Sequence, residues 1–174
     1  MSVTVPAHAI FISVGSGLAP GQERFVAAVE AALRRHGWGA VTLGRNLHSD
    51  GALDAIHTLV RDTSGTLVIA FARLRITAAI ERPASAGATS IPPRELPTVW
   101  NQIEAAMAYQ AGKPLLLLLE AGLHPEGLLD PAIHPGVVFA APGAEGALPT
   151  SVRDALDRWI ATLDPAGRPA GRPG

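Results

Sequence analysis

The sequence predicts an α/β domain in which a five-stranded parallel sheet is covered by helices on both faces. Three observations carry this. Short apolar runs at 9–14, 66–71 and 115–119 are nearly continuous in hydrophobic character, as strands buried on both faces must be. Stretches of helical periodicity separate them. The alternation runs through most of a 174-residue chain, a length that one domain accommodates.

The first strand, 9–14, ends at Gly15-Ser16-Gly17. A helix over about 22–36 follows. Phe25, Val26, Val29, Ala32 and Leu33 share one face, Glu23 lies in its first turn, Arg34 and Arg35 lie in its last, and Gly37 stops it. A short strand at 39–43 comes next. Ser49 and Asp50 then precede a second helix, with Leu53, Ile56, Leu59 and Val60 on its inner face and His57 packed beside them. The third strand is 66–71. Residues 72–97 hold Pro83, Gly87, Pro92, Pro93 and Pro97, which predicts a long loop without regular structure, of the length that is usually functional or mobile.

Thr98 is the expected N-cap of a third helix running to Ala111, with Gly112 at its stop and a core stripe of Trp100, Ile103, Met107 and Ala111. The fourth strand is 115–119. A Gly/Pro-rich segment at 121–136 leads to a short fifth strand at 137–139. A last helix spans 151–163 with Val152, Leu156, Trp159, Ile160 and Leu163 inward. Six of the ten residues at 165–174 are Gly or Pro, which predicts a disordered tail after a single domain at 1–164. Five strands in this rhythm predict the flavodoxin-like order 2-1-3-4-5, in three α/β/α layers.

Composition narrows the function. There is no cysteine, so disulfides, thiolate metal sites and catalytic thiols are excluded. The net charge is −1, with no polycationic footprint for nucleic acid. No apolar run approaches the ~18 residues of a membrane span, and the N-terminus lacks the basic region of a secretory signal. A cytoplasmic protein is expected. The six histidines show no metal-ligand spacing, and neither G-x-G-x-x-G, G-K-[ST] nor G-x-S-x-G occurs.

Chemistry is therefore sought at the carboxyl ends of the strands, where ligands bind in open α/β sheets. Glu104 stands out, because it lies on or beside the apolar face of the third helix, just over a turn from its start. A partly desolvated carboxylate must be hydrogen-bonded, paired or protonated. It is either a rim group paired with Arg73, Arg75 or Arg94, or a ligand-binding group. Gly15-Ser16-Gly17 either closes a tight turn or brings backbone N–H groups to a phosphate or ribose. Arg73 and Arg75 are either solvated or anion-binding.

Trp100-Asn101-Gln102-Ile103-Glu104 resembles the W-C-x-x-E segment of TIR domains, with Asn101 at the cysteine. Phe11-Ile12-Ser13, a Gly-rich loop and a helix ending at His36-Gly37 resemble the start of the same family. The stretch from Glu104-Ala105-Ala106-Met107-Ala108-Tyr109 to Gly112-Lys113-Pro114-Leu115 is similar to the nucleoside 2-deoxyribosyltransferase-like group. The resemblance spans roughly 9–140. It implies cleavage of an N-glycosidic bond of NAD or a related nucleotide, with Glu104 as the catalytic carboxylate. Ser13, Gly15, Ser16, Arg73, Trp100 and Asn101 are then substrate-contacting positions, with Trp100 either a core residue or a stacking partner. NAD is a substrate in this reading, and no cofactor is implied. The resemblance also implies a role in bacterial antiviral signalling, with self-assembly or a separate sensor protein as regulator. The alternative is a nucleotide-binding or oligomerising module without turnover.

Overall fold

The computed structural model describes residues 5–6, 8–43, 51–141 and 147–163. Its main sheet holds five parallel strands: β1 (Ala9–Val14), β2 (Gly39–Val41), β3 (Gly65–Ala70), β8 (Leu115–Glu120) and β9 (Val137–Ala140). Their order is β2-β1-β3-β8-β9, the predicted one. The helices are α1 (Pro20–Arg35), α2 (Ala52–Asp62), α3 (Val99–Gln110) and α4 (Thr150–Ile160), with a single 3₁₀ turn at Gly127–Leu129.

Strand alternation sorts the core into two faces. Ile10, Ile12, Leu67, Ile69, Leu116 and Leu118 pack with the inner stripes of α1 and α4. Ala9 and Phe11 face the other way, against Ile56, Leu59 and Val60 of α2 and Ala108 of α3. Val68, Ala70, Leu117 and Leu119 pack on the same side with Ala105. Three layers result, α1/α4, sheet, and α2/α3. Continuing the alternation along β1, the buried Ser13 belongs with Phe11 on the α3 side.

Helix α1 buries the stripe its periodicity predicts. Helix α2 does so with a correction: Leu53 is exposed and Ala55 takes its place, and His57 is exposed rather than packed. Its N-cap is Gly51, while Ser49, Asp50 and the tail at 165–174 lie outside the described residues.

Helix α3 has the largest correction. Thr98 caps it as expected, its side chain accepting from Trp100 N. The buried face, however, is Asn101, Glu104, Ala105 and Ala108, while Trp100 and Ala111 are exposed and Ile103 and Met107 lie on the flanks. The helix packs on β1, β3 and β8, where the small side chains of Ala105 and Ala108 admit a close approach that Trp and Met would prevent.

Residues 72–97 form regular structure where a loop was expected. Strand β4 (Leu74–Ile76) pairs antiparallel with β7 (Arg94–Leu96), and β5 (Ala79–Glu81) with β6 (Thr89–Ile91). Both ladders keep one register, from Leu74↔Leu96 through Ile76↔Arg94 to Ala79↔Ile91 and Glu81↔Thr89. They are thus two halves of one hairpin arm. The ladder breaks where Pro92 and Pro93 lie, residues that have no N–H to donate.

Candidate functional site

The carboxyl ends of β1 and β3 are the place where the strand order reverses, and a cleft of about 740 Å³ opens there. Its walls include Gly15, Ser16 and Gly17 after β1, Phe71, Ala72 and Arg73 after β3, and Thr98, Trp100, Asn101 and Glu104 from the first turns of α3. Leu43, Ala52 and Ile56 close the α2 side. The volume suits a nucleotide-sized ligand.

Glu104 is only 7% exposed, and it is the one carboxylate among the described residues lining the cleft. No ion pair joins it to an arginine among the described residues. Arg75 pairs with Glu95, and Arg94 lies 3.4 Å from Glu126, so the rim-pair alternative fails for both. Its partner is neutral. Ser13, 1% exposed at the end of β1, hydrogen-bonds to the Glu104 carboxyl. Asn101, one turn earlier on α3 and also 1% exposed, donates from Nδ2 to Ser13 Oγ at 3.0 Å. A hydroxyl carries one proton and two lone pairs, so Ser13 can accept from Asn101 and still donate to Glu104.

Burial pushes the Glu104 carboxyl from its ordinary 4.5 up to about 7, because the charged form loses its water. The Ser13 hydrogen bond opposes this, since it favours the ionised form. A carboxyl shifted by desolvation in a cleft makes Glu104 the candidate functional group.

Sequence reasoning missed the brace behind this wall. Glu120, at the end of β8, accepts from Ala72 N at 2.8 Å and from Gln22 Nε2 at 3.1 Å. Gln22 Oε1 in turn accepts from Ala19 N at 2.9 Å, the returning half of a capping box on α1. One carboxylate thus ties together the first turn of α1, the root of the arm and β8. A Gln three residues beyond the cap, and an acidic residue ending an all-leucine strand, were the available signals.

Of the six substrate-contacting positions expected from the sequence, Gly15, Ser16, Arg73, Trp100 and Asn101 line the cleft, whereas Ser13, 1% exposed, does not line it and bonds to Glu104 instead. Trp100, 44% exposed, is a cleft residue and not a core one.

No protein-family model matches the chain, and no curated protein matches it. Among solved structures, the CMP N-glycosidase BcmB of Clostridium botulinum superposes with a TM-score of 0.51 at 13% identity, over 87% of this chain and 98% of that one. The chain shares its fold with that N-glycosidase. The TIR domains of the Roq1 resistosome align at a TM-score of 0.41 and 10% identity, over 89% of this chain and 84% of theirs. An oxidoreductase from Corynebacterium diphtheriae aligns at 0.42 and 18% identity, over 87% and 91%. The likeness to BcmB is one of architecture.

Proposed function

We propose that the protein breaks the N-glycosidic bond of a nucleotide, NAD or a related one, with Glu104 as the carboxylate that meets the charge developing on the sugar. One observation carries this: a buried carboxyl, the one that lines the nucleotide-sized cleft among the described residues, bonds to Ser13 at the switch point of the sheet. When the C1′–N bond breaks, its electron pair leaves with the base, and positive charge spreads over C1′ and the ring oxygen. A carboxylate fixed in a dry site stabilises that charge, or closes on C1′ as an ester. Water then supplies the hydroxyl to C1′ and gives up a proton.

Nicotinamide departs from NAD as a neutral molecule, so one acidic group suffices and no general acid is demanded. Glu104 acts here in its ionised form. The Ser13 hydrogen bond favours that form, and a cationic pyridinium ring entering the cleft would favour it further.

The test is chromatography of NAD, CMP and related nucleotides after incubation with the purified protein, at low and high protein concentration. Release of base by the wild type and its loss in Glu104→Gln support the reading, and undiminished release in the variant overturns it. The second reading is a binding module without turnover, which the partial protonation of Glu104 near pH 7 favours. It predicts a ligand that raises the melting temperature and is recovered intact. A role in antiviral signalling stays with the first reading, as a consequence of nucleotide loss.

A further inference from the structure

We propose that the lip of the cleft is a phosphate site built from the Arg73 guanidinium and the backbone amides of Ser16 and Gly17. The ligand is then a nucleotide gripped by a phosphoryl group, not a free nucleoside. This deepens the nucleotide reading above and rests on it for the sugar and base, but not on turnover.

Arg73 follows β3, and its root is held on both sides. Its own N–H donates to Leu96 O at 2.8 Å, and the N–H of Ala72 donates to Glu120 Oε2 at 2.8 Å. From that root the guanidinium reaches over the cleft, where Nη1 lies 4.0 Å from the point a Cβ on Gly17 would occupy. Arg75 and Arg94 on the same arm are each matched with a glutamate. Among the described residues, nothing forms an ion pair or a hydrogen bond with the Arg73 side chain.

Across the gap, the Ser16 and Gly17 amides donate to no group among the described residues. Gly17 has φ +70°, the left-handed half of the backbone pairing from which anion nests are made. A side chain there would be strained and would stand between the loop and the guanidinium. A planar fork of donors and two unspent amides on the rim of one cleft suit the tetrahedral, multiply accepting phosphoryl group. Only one carboxylate, Glu104, lines the cleft among the described residues, so the lip offers an anion cationic and amide donors.

A 5′-monophosphate and the pyrophosphate of a dinucleotide share this chemistry, and the experiment separates them. Calorimetry on the full chain carrying Glu104→Gln, in phosphate-free buffer, would compare CMP, NAD and cytidine. We expect a phosphorylated ligand to bind at least about tenfold more tightly than cytidine, with NAD ahead of CMP if a pyrophosphate is the target. Adding Arg73→Ala should weaken the phosphorylated ligands by about 10- to 100-fold and leave cytidine unchanged, with Arg73→Lys recovering part of the loss. Equal binding of CMP and cytidine, equal losses for both in Arg73→Ala, or no binding of CMP and NAD would overturn the site. Phosphate-dependent binding through Arg73 in a protein that breaks no glycosidic bond would leave this site standing and remove the catalytic reading.

Discussion

Asn101 Nδ2 stands 3.0 Å from Ser13 Oγ, joining the first turn of α3 to the end of β1 across 88 residues of sequence. That contact bears on Glu104 through Ser13. With an amide donor on its oxygen, the hydroxyl still has its proton to offer the carboxyl. Asn101 and Ser13 thus lead to one acid, which forms no ion pair among the described residues.

The Ser13–Glu104 contact sets a pH dependence. If ionised Glu104 is the working form, kcat/KM should rise with pH and level off above about 7, where the carboxyl titrates. Ser13→Ala removes the one interaction that lowers this value, so the rising limb should move to higher pH by roughly half a unit to one unit. Turnover should suffer most near pH 6 and least near pH 8.5. A pH–rate profile of the two proteins checks this, and an unmoved limb would show that Ser13 is only packing.

The same burial costs stability. Folded Glu104 holds its proton to about 7, whereas the unfolded chain releases it near the ordinary 4.5. Between those values the folded state binds more protons, so stability falls as pH rises from about 4.5 to 7 and stays lowered above it. The shift corresponds to about 3 kcal/mol, an upper figure once relaxation is allowed. Glu104→Gln lacks this penalty. It should gain stability over the wild type by about 1–3 kcal/mol at pH 8, with the advantage shrinking at pH 5. Urea unfolding at the two pH values would read it, and a pH-independent difference would contradict a buried carboxyl.

Gly65 opens β3 beneath the end of α4. A Cβ there would lie 2.7 Å from Leu163 Cδ2, 3.0 Å from Trp159 Cζ2 and 3.1 Å from Pro114 O. Neither the backbone oxygen nor the packed indole can yield freely. Gly65→Ala should therefore destabilise by about 1–3 kcal/mol. Ligand binding at the opposite edge of the sheet should be unchanged in the fraction still folded, a pairing that denaturation and calorimetry can measure together.

Hydrogen exchange should divide the hairpin arm at its prolines. The inner ladder is tied down by the Arg73 N–Leu96 O bond, the Glu95–Leu123 bridge and His124 N donating to Glu95 O. The outer ladder, β5 with β6, is mostly exposed and two-stranded, and such a ribbon is marginal in water. Amides at 79–81 and 89–91 should exchange orders of magnitude faster than those of β3 and β8. Equal protection along the arm would mean that another surface covers it.

The candidate site was legible only in part. In the sequence Glu104 is a charge beside an apolar stripe, and the residue is buried, but on a face rotated from the one its neighbours indicate. Hydrophobic periodicity weighs Trp100, Ile103 and Met107 heavily and the alanines lightly. The sheet selects by closeness of approach, so Ala105 and Ala108 went inward and Trp100 outward. Gln22 and Glu120 lie 98 residues apart, and no local pattern links them.

Strand and helix order, the parallel sheet and the inner faces of α1 and α4 belong to the sequence alone. They follow from local periodicity and from the rule that a fully apolar strand needs a cover on each side. The turn of α3, the ordered arm and the partners of Glu104 were decided only in three dimensions. Those features depend on which surfaces meet at van der Waals distance and which donors lie within reach. Both are properties of residues far apart in the chain.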